Sequence, residues 1–162
     1  MPKLHKLTVA FKVVNRHSLP EILTKGLEPK TPAFQVTRKG YKEIGNGVFA
    51  SKDHPLMYVG YGKSTPEGKH DWHGDVVLQI NQWEWYLQEE GFQVGQMPEY
   101  YSLKPIPPDN IALVYCRESQ YKKNKRLIPK GWLGILVPVP DEIMVLGNDI
   151  RFFEYLEKLK KT

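Results

Sequence analysis

A mixed α+β domain is the fold class this sequence predicts, and three observations predict it. Short runs rich in β-branched and apolar residues recur along the chain, as in "KLTVAFKVV" and "DVVLQIN". A few segments with helix punctuation stand among them, clearest in "SLPEILTKGLEP". The last stretch, "DIRFFEYLEKLKK", repeats its apolar residues at helical spacing. Many short strands with a few intervening helices make an α+β layer. At 162 residues one domain is expected, large enough to bury a core without staples.

Taken in order, Lys6 to Val14 predicts the first strand, because β-branched and apolar residues dominate it. Ser18 is placed to cap the following helix, Pro20 and Glu21 suit its first turn, and Gly26 suits its stop. A polar loop punctuated by Pro29, Pro32 and Gly40 leads to Gly45. "GVFAS" predicts a second strand, "HPLMYVGYG" a helix, and "KSTPEGKHDWHG" a polar loop. "DVVLQIN" predicts a strand and "QWEWYLQEEGF" a short helix ended by Gly91. "EYYSL" and "NIALVYC" predict strands joined by a turn at "KPIPPD", where Pro107 and Pro108 disfavour any regular element. "WLGILVPVP" predicts the last strand. The terminal helix is expected to bury Ile150, Phe153, Leu156 and Leu159 on one face.

Hydrophobic content of 41% and charged content of 25% are those of a globular domain. The net charge of +5 permits a phosphate-bearing partner, although scattered lysines give the same total. One cysteine, Cys116, excludes an intramolecular disulfide and fits a reducing, cytoplasmic compartment. The opening apolar run is too short for a signal peptide and no segment approaches a membrane span, so no membrane association is expected. A monomer is expected, although the oligomeric state is not readable from the sequence. No P-loop, dinucleotide fingerprint or nucleophile elbow occurs.

Several clusters have competing readings. His70, Asp71, His73 and Asp75 lie close together, but a structural zinc site commonly draws ligands from two separate pairs. No metal is therefore expected, and the cluster reads as a solvated loop. "YKKNKR" sets Lys122, Lys123, Lys125 and Arg126 beside Tyr121. Such a patch can track a phosphate backbone while the tyrosine stacks on a base, or it can be a solvated charged turn. Trp83 and Trp85 flank Glu84 and read as core packing. Cys116, inside a strand, reads as a buried and inert thiol.

Three segments, in this order, resemble the ADP-ribosyltransferase superfamily: poly(ADP-ribose) polymerases, DNA-targeting toxins and RNA 2′-phosphotransferases. "SLPEILTKGLEP" is similar to the helix and its exit after the family's first core strand. "GNGVFASKDHPLMY" is similar to the glycine turn, aromatic strand and tyrosine-bearing helix of the polymerases, with "GDVVLQIN" where their next strand falls. "PEYYSLKPIPPDNI" is similar to the segment carrying the catalytic glutamate. The likeness runs from Phe11 to Val114. It implies a split β-sheet core over residues 5–116 with short peripheral helices. Residues 117–162, with the C-terminal amphipathic helix, would close that core.

The resemblance implies chemistry that breaks the nicotinamide–ribose bond of NAD through a transition state of oxocarbenium character. A carboxylate near the ribose favours that charge and orients hydroxyl groups. Glu99 matches that role by position, with Glu118 in reserve; an exposed glutamate before a strand is the ordinary alternative. Tyr58 matches the tyrosine on which the flat nicotinamide ring stacks, and Tyr61 can share its face. Gly45 and Gly47 would let the chain turn sharply into "VFAS" at the cleft. Ser51 falls near a serine that some members use structurally. The family's first strand carries a histidine or arginine followed by a hydroxyl residue. Gapless spacing puts Lys12 there, with no hydroxyl; a short shift puts Arg16 there, with Ser18 restoring the pattern. Lysine acts on a phosphate as a point charge and lacks the arginine fork. His17 reads as a loop residue. The implied activity is NAD-dependent ADP-ribose transfer to a protein or nucleic-acid acceptor. An RNA 2′-phosphotransferase-like enzyme and a catalytically silent nucleic-acid-binding module are the alternatives.

Overall fold

A computed structural model of the protein describes residues 3–30, 46–60, 74–88 and 98–161. Its spine is a long antiparallel pair, β1 (Leu4–Val14) against β3 (Val76–Gln88), with Val14 opposite Val76 and Leu4 opposite Tyr86. The other edge of β3 is divided. β5 (Ile111–Arg117) takes Val76 to Ile80, and β4 (Glu99–Ser102) takes Tyr86 to Gln88. β2 (Val48–Ala50) pairs antiparallel with β4, and β6 (Leu136–Val139) lies parallel to β5. The described strands thus form one six-stranded, mostly antiparallel sheet. Ser51, just past β2, exchanges both backbone hydrogen bonds with Phe11 at 2.7 and 2.8 Å. The β1–β3–β4–β2 run therefore curls until its ends meet.

The sheet buries two cores. Ala10, Val14, Leu78, Ile80 and Trp85 pack with Leu19, Ile22 and Leu23 of α1 (Leu19–Lys25). Phe11, Val13, Val77 and Tyr115 pack with Phe152 of α3 (Asp149–Lys160). Alternate β1 residues thus serve opposite sides, as the pleat requires. No described helix is long and apolar enough to cross a membrane.

Gly26 stops α1 at φ 90°, its N–H bonding to the Ile22 carbonyl at 2.7 Å. A Cβ there would run into the backbone carbonyl of Ile106, so glycine is needed on both counts. The close approach lets Leu27 and Ile106 exchange backbone bonds at 2.8 and 2.9 Å, which anchors the proline-rich turn.

The structure corrects five expectations. "QWEWYLQ" continues β3 instead of turning into a helix, because β1 offers eleven residues of partner backbone. Gln82 takes φ 53°, and Trp83 and Trp85 beyond it join the core that already holds Leu78 and Ile80. That odd-for-even change of side hides the strand's period. Asn110 secures the bend, its amide donating to the Asn81 carbonyl at 3.0 Å. "HPLMYVG" is a succession of turns and not a helix: Met57 bonds back to His54 and Val59 to Leu56. Pro55 lacks an N–H, and the segment ends at Gly60 with φ 78° before an α-helical ladder can propagate.

Ser18 makes no side-chain cap; Asn15 caps the preceding 3-10 turn instead, accepting from the His17 N–H at 2.8 Å. Only Leu136–Val139 of the expected last strand is extended, and Lys130–Ile135 forms a 3-10 turn. Pro138 is tolerated because β6 ends the sheet. On α3, Phe153 and Leu156 pack into the second core as expected, whereas Leu159 is 40% exposed and the fully buried residue is Phe152. Ile150 is 76% exposed. Asp149 meets the turn at 54–60, its Oδ1 accepting the Leu56 N–H at 2.9 Å and its Oδ2 lying 3.3 Å from the His54 Nδ1.

Candidate functional site

A cavity of about 420 Å³ opens between α1, the end of β1, β2 and the turn at 54–60. Lys12, Ser18, Ser51, His54, Tyr58 and Glu99 all line it. Each is placed by its own local physics. Lys12 sits between Phe11 and Val13, which face the α3 core, so its side chain leaves on the other side. There its ammonium donates to the Phe49 carbonyl of β2 at 3.0 Å. Glu99 opens β4 opposite Gln88 and is 2% exposed. The Tyr58 hydroxyl donates to the Glu99 Oε1 at 3.4 Å. Tyr58 and Glu99 are 41 positions apart in sequence, and the curled sheet brings them together.

Tyr58 is held from three directions. The Ser51 hydroxyl accepts the His54 N–H at 2.9 Å, which starts the turn. The Asp149 Oδ1 accepts the Leu56 N–H at 2.9 Å, which fixes its middle. The Gly60 N–H bonds the Gly74 carbonyl at 3.0 Å, which closes its end. Gly74 has room for no side chain. A Cβ there would overlap the Tyr58 carbonyl and come within 2.6 Å of the Val13 Cγ1.

Burial pushes the Lys12 ammonium down to about 8, and the nearby Glu99 carboxylate partly counters the shift. Between about pH 8 and 10.5 the unfolded chain therefore binds the proton that the folded chain has released. From this group alone, stability rises with pH across that window. Below it, Lys12 stays charged against its desolvation cost.

The other sequence-derived candidates fall as follows. Arg16 points away from the cavity, its guanidinium donating to the Gln120 Oε1 at 2.8 Å, so Lys12 alone of the two lines it. Ser18 is an exposed residue at the mouth, and Ser51 is buried with its hydroxyl engaged by the turn. Glu118 is exposed and does not line the cavity. Tyr61 and Gly45 lie outside the described residues, as do His70, Asp71 and His73. Asp75, the remaining member of that cluster, accepts the Arg16 N–H at 3.3 Å. No group of three or more potential metal ligands occurs among the described residues. Cys116 is buried, and burial raises its thiol.

Lys122, Lys123, Lys125 and Arg126 are exposed on and just after α2 (Tyr121–Lys125). Tyr121 packs against the first core, which removes it as a free stacking platform. No family model, curated protein or solved structure matches the chain. The cavity's own groups must therefore carry the functional reading.

Sequence reasoning missed His54 and Asp149. His54 lines the cavity, and its Nδ1 lies 3.3 Å from the Asp149 Oδ2. The two are 95 positions apart, and an acid in a first helical turn reads as an ordinary partner of the helix dipole. Chemically, the cavity offers a buried carboxylate, an aromatic face beside it, an enclosed cation and a carboxylate-paired imidazole.

Proposed function

We propose that the protein is an ADP-ribosyltransferase that cleaves NAD at the nicotinamide–ribose bond and passes ADP-ribose to an acceptor. The observation that carries this reading is the 3.4 Å approach of the Tyr58 hydroxyl to the Glu99 carboxylate inside one cavity. Its volume of about 420 Å³ lies within the usual range for small-molecule sites.

In this reading Tyr58 gives the nicotinamide ring a stacking face. Glu99 orients the ribose hydroxyls and stabilises positive charge developing at the anomeric carbon. Lys12 holds the anionic part of the dinucleotide as a point charge. Incubation with NAD labelled in the nicotinamide ring should release free nicotinamide. NAD left intact with every acceptor class would overturn the reading. No arginine is among the described lining residues, which disfavours a 2′-phosphotransferase built on several arginine ligands.

Two further results are expected. Lys12 is charged below about pH 8 and loses its charge above it. NAD affinity should therefore weaken as pH rises through that value, by up to about tenfold per unit. Lys12→Met should bind weakly throughout and show no such step in a calorimetric titration.

The second result concerns the acceptor, which we infer to be nucleic acid. The Arg16–Gln120 bond ties the start of the basic α2 segment to a residue two positions from Ser18 at the mouth. Replacing Lys122, Lys123, Lys125 and Arg126 by glutamine should weaken single-strand binding. The slope of its salt dependence should flatten by about 0.7 for each phosphate no longer neutralised. Nicotinamide release at saturating nucleic acid should be unchanged in that variant.

A further inference from the structure

The geometry points to His54 as the base that takes the proton from the acceptor nucleophile, with Asp149 as its positioning residue; this rests on the transferase reading above. Glu99 is suited to orient the ribose and offset its charge, but it lies 2% exposed at the inner end of β4 and is already engaged by Tyr58. Ribosyl transfer leaves a second task, because an acceptor hydroxyl or amine must lose a proton as it bonds. His54 is a cavity-lining group suited to it. Its Nδ1 faces the Asp149 Oδ2 at 3.3 Å, and that side chain pair is partly enclosed, at 29% and 17% exposure.

A carboxylate can only accept, so a neutral ring paired with it carries its proton on Nδ1 and has Nε2 as its acceptor nitrogen. A base oriented by a third group is the recurrent arrangement for activating a nucleophile. Asp149 is itself fixed. Its Oδ1 accepts the Leu56 N–H at 2.9 Å, so one carboxylate sets both the imidazole and the backbone of the turn that carries Tyr58.

The step balances without a further reactant. The bond between the ribose anomeric carbon and the nicotinamide nitrogen breaks, its electron pair leaving with neutral nicotinamide. The acceptor oxygen or nitrogen bonds that carbon, and its proton passes to the His54 Nε2 and then to water.

Two measurements test this separately from the transferase reading. Long-range proton–nitrogen spectra of the neutral ring should show His54 protonated at Nδ1, and Asp149→Asn should shift that tautomer. A wild-type ring protonated at Nε2 overturns the pair, whatever the activity. With saturating labelled NAD and single-stranded nucleic acid, His54→Gly should slow transfer about 100-fold, the low end of general-base effects. Added imidazole should restore much of the loss, and His54→Gln should stay slow. Full transfer by His54→Gly, or a loss that imidazole does not restore while NAD binding persists, overturns the role. Absence of NAD cleavage by the wild type overturns the transferase reading and with it this role, and the tautomer then reports on the pair alone.

Discussion

Glu99→Gln is expected to lower the rate of nicotinamide release by 10²- to 10³-fold, on the order of 3–4 kcal/mol of barrier. The substitution keeps the shape of the side chain and its capacity to accept from the Tyr58 hydroxyl, so the cavity should keep its form. What disappears is the negative charge. In a site where the carboxylate is almost sealed from water, that charge would act with little screening on the oxocarbenium of the proposed reaction. The same charge also steadies the Lys12 ammonium, which burial alone would push further down. NAD affinity at pH 9 should therefore fall more in the variant than at pH 7. Single-turnover assays separate the two effects, because the first appears in the rate at saturating NAD and the second in the concentration needed to saturate. A variant that cleaves NAD as fast as the wild type would remove Glu99 from the chemistry.

Much of this arrangement was legible in the sequence because it rests on local signals. The β-branched run of β1, the glycine stop of α1 at Gly26 and the carboxylate opening "EYYS" each depend on neighbours within a few positions. Tyr58 follows β2 closely in sequence, but the expected helix around it is a set of turns held by Asp149 and Gly74. Features that depend on distant partners were not legible. Trp83 and Trp85 belong to a strand only because β1 extends beside them, and Gln82 disguises the alternation. Asp149 on α3 meets a turn 93 positions earlier. Lys12 lines the cavity and Arg16 does not, and the Arg16 guanidinium instead meets Gln120, an ordinary polar residue 104 positions away. Spacing arguments had no access to any of these pairings.

Phe152→Ala should destabilise the protein by about 3–5 kcal/mol, the usual cost of emptying a phenylalanine site in a core. For a chain of this size that corresponds to a midpoint lower by roughly 6–20 °C. Phe152 is completely buried, and its ring meets Phe11 at 6.2 Å and Tyr115 at 5.3 Å, both edge-on. Edge-to-face pairs add to the area term, which favours the upper part of the range. Ile150→Ala, two positions away but 76% exposed, should change stability by less than about 0.5 kcal/mol. The contrast, read by thermal unfolding of both variants, tests which face of α3 is buried; equal effects would reject the observed orientation. A consequence for the site follows from connectivity. Phe11 exchanges backbone bonds with Ser51 and precedes Lys12, while Asp149 on the same helix holds the turn bearing His54 and Tyr58. Loosening α3 thus acts on both walls of the cavity at once. Phe152→Ala should weaken NAD binding well below its melting temperature, whereas Ile150→Ala should leave it intact.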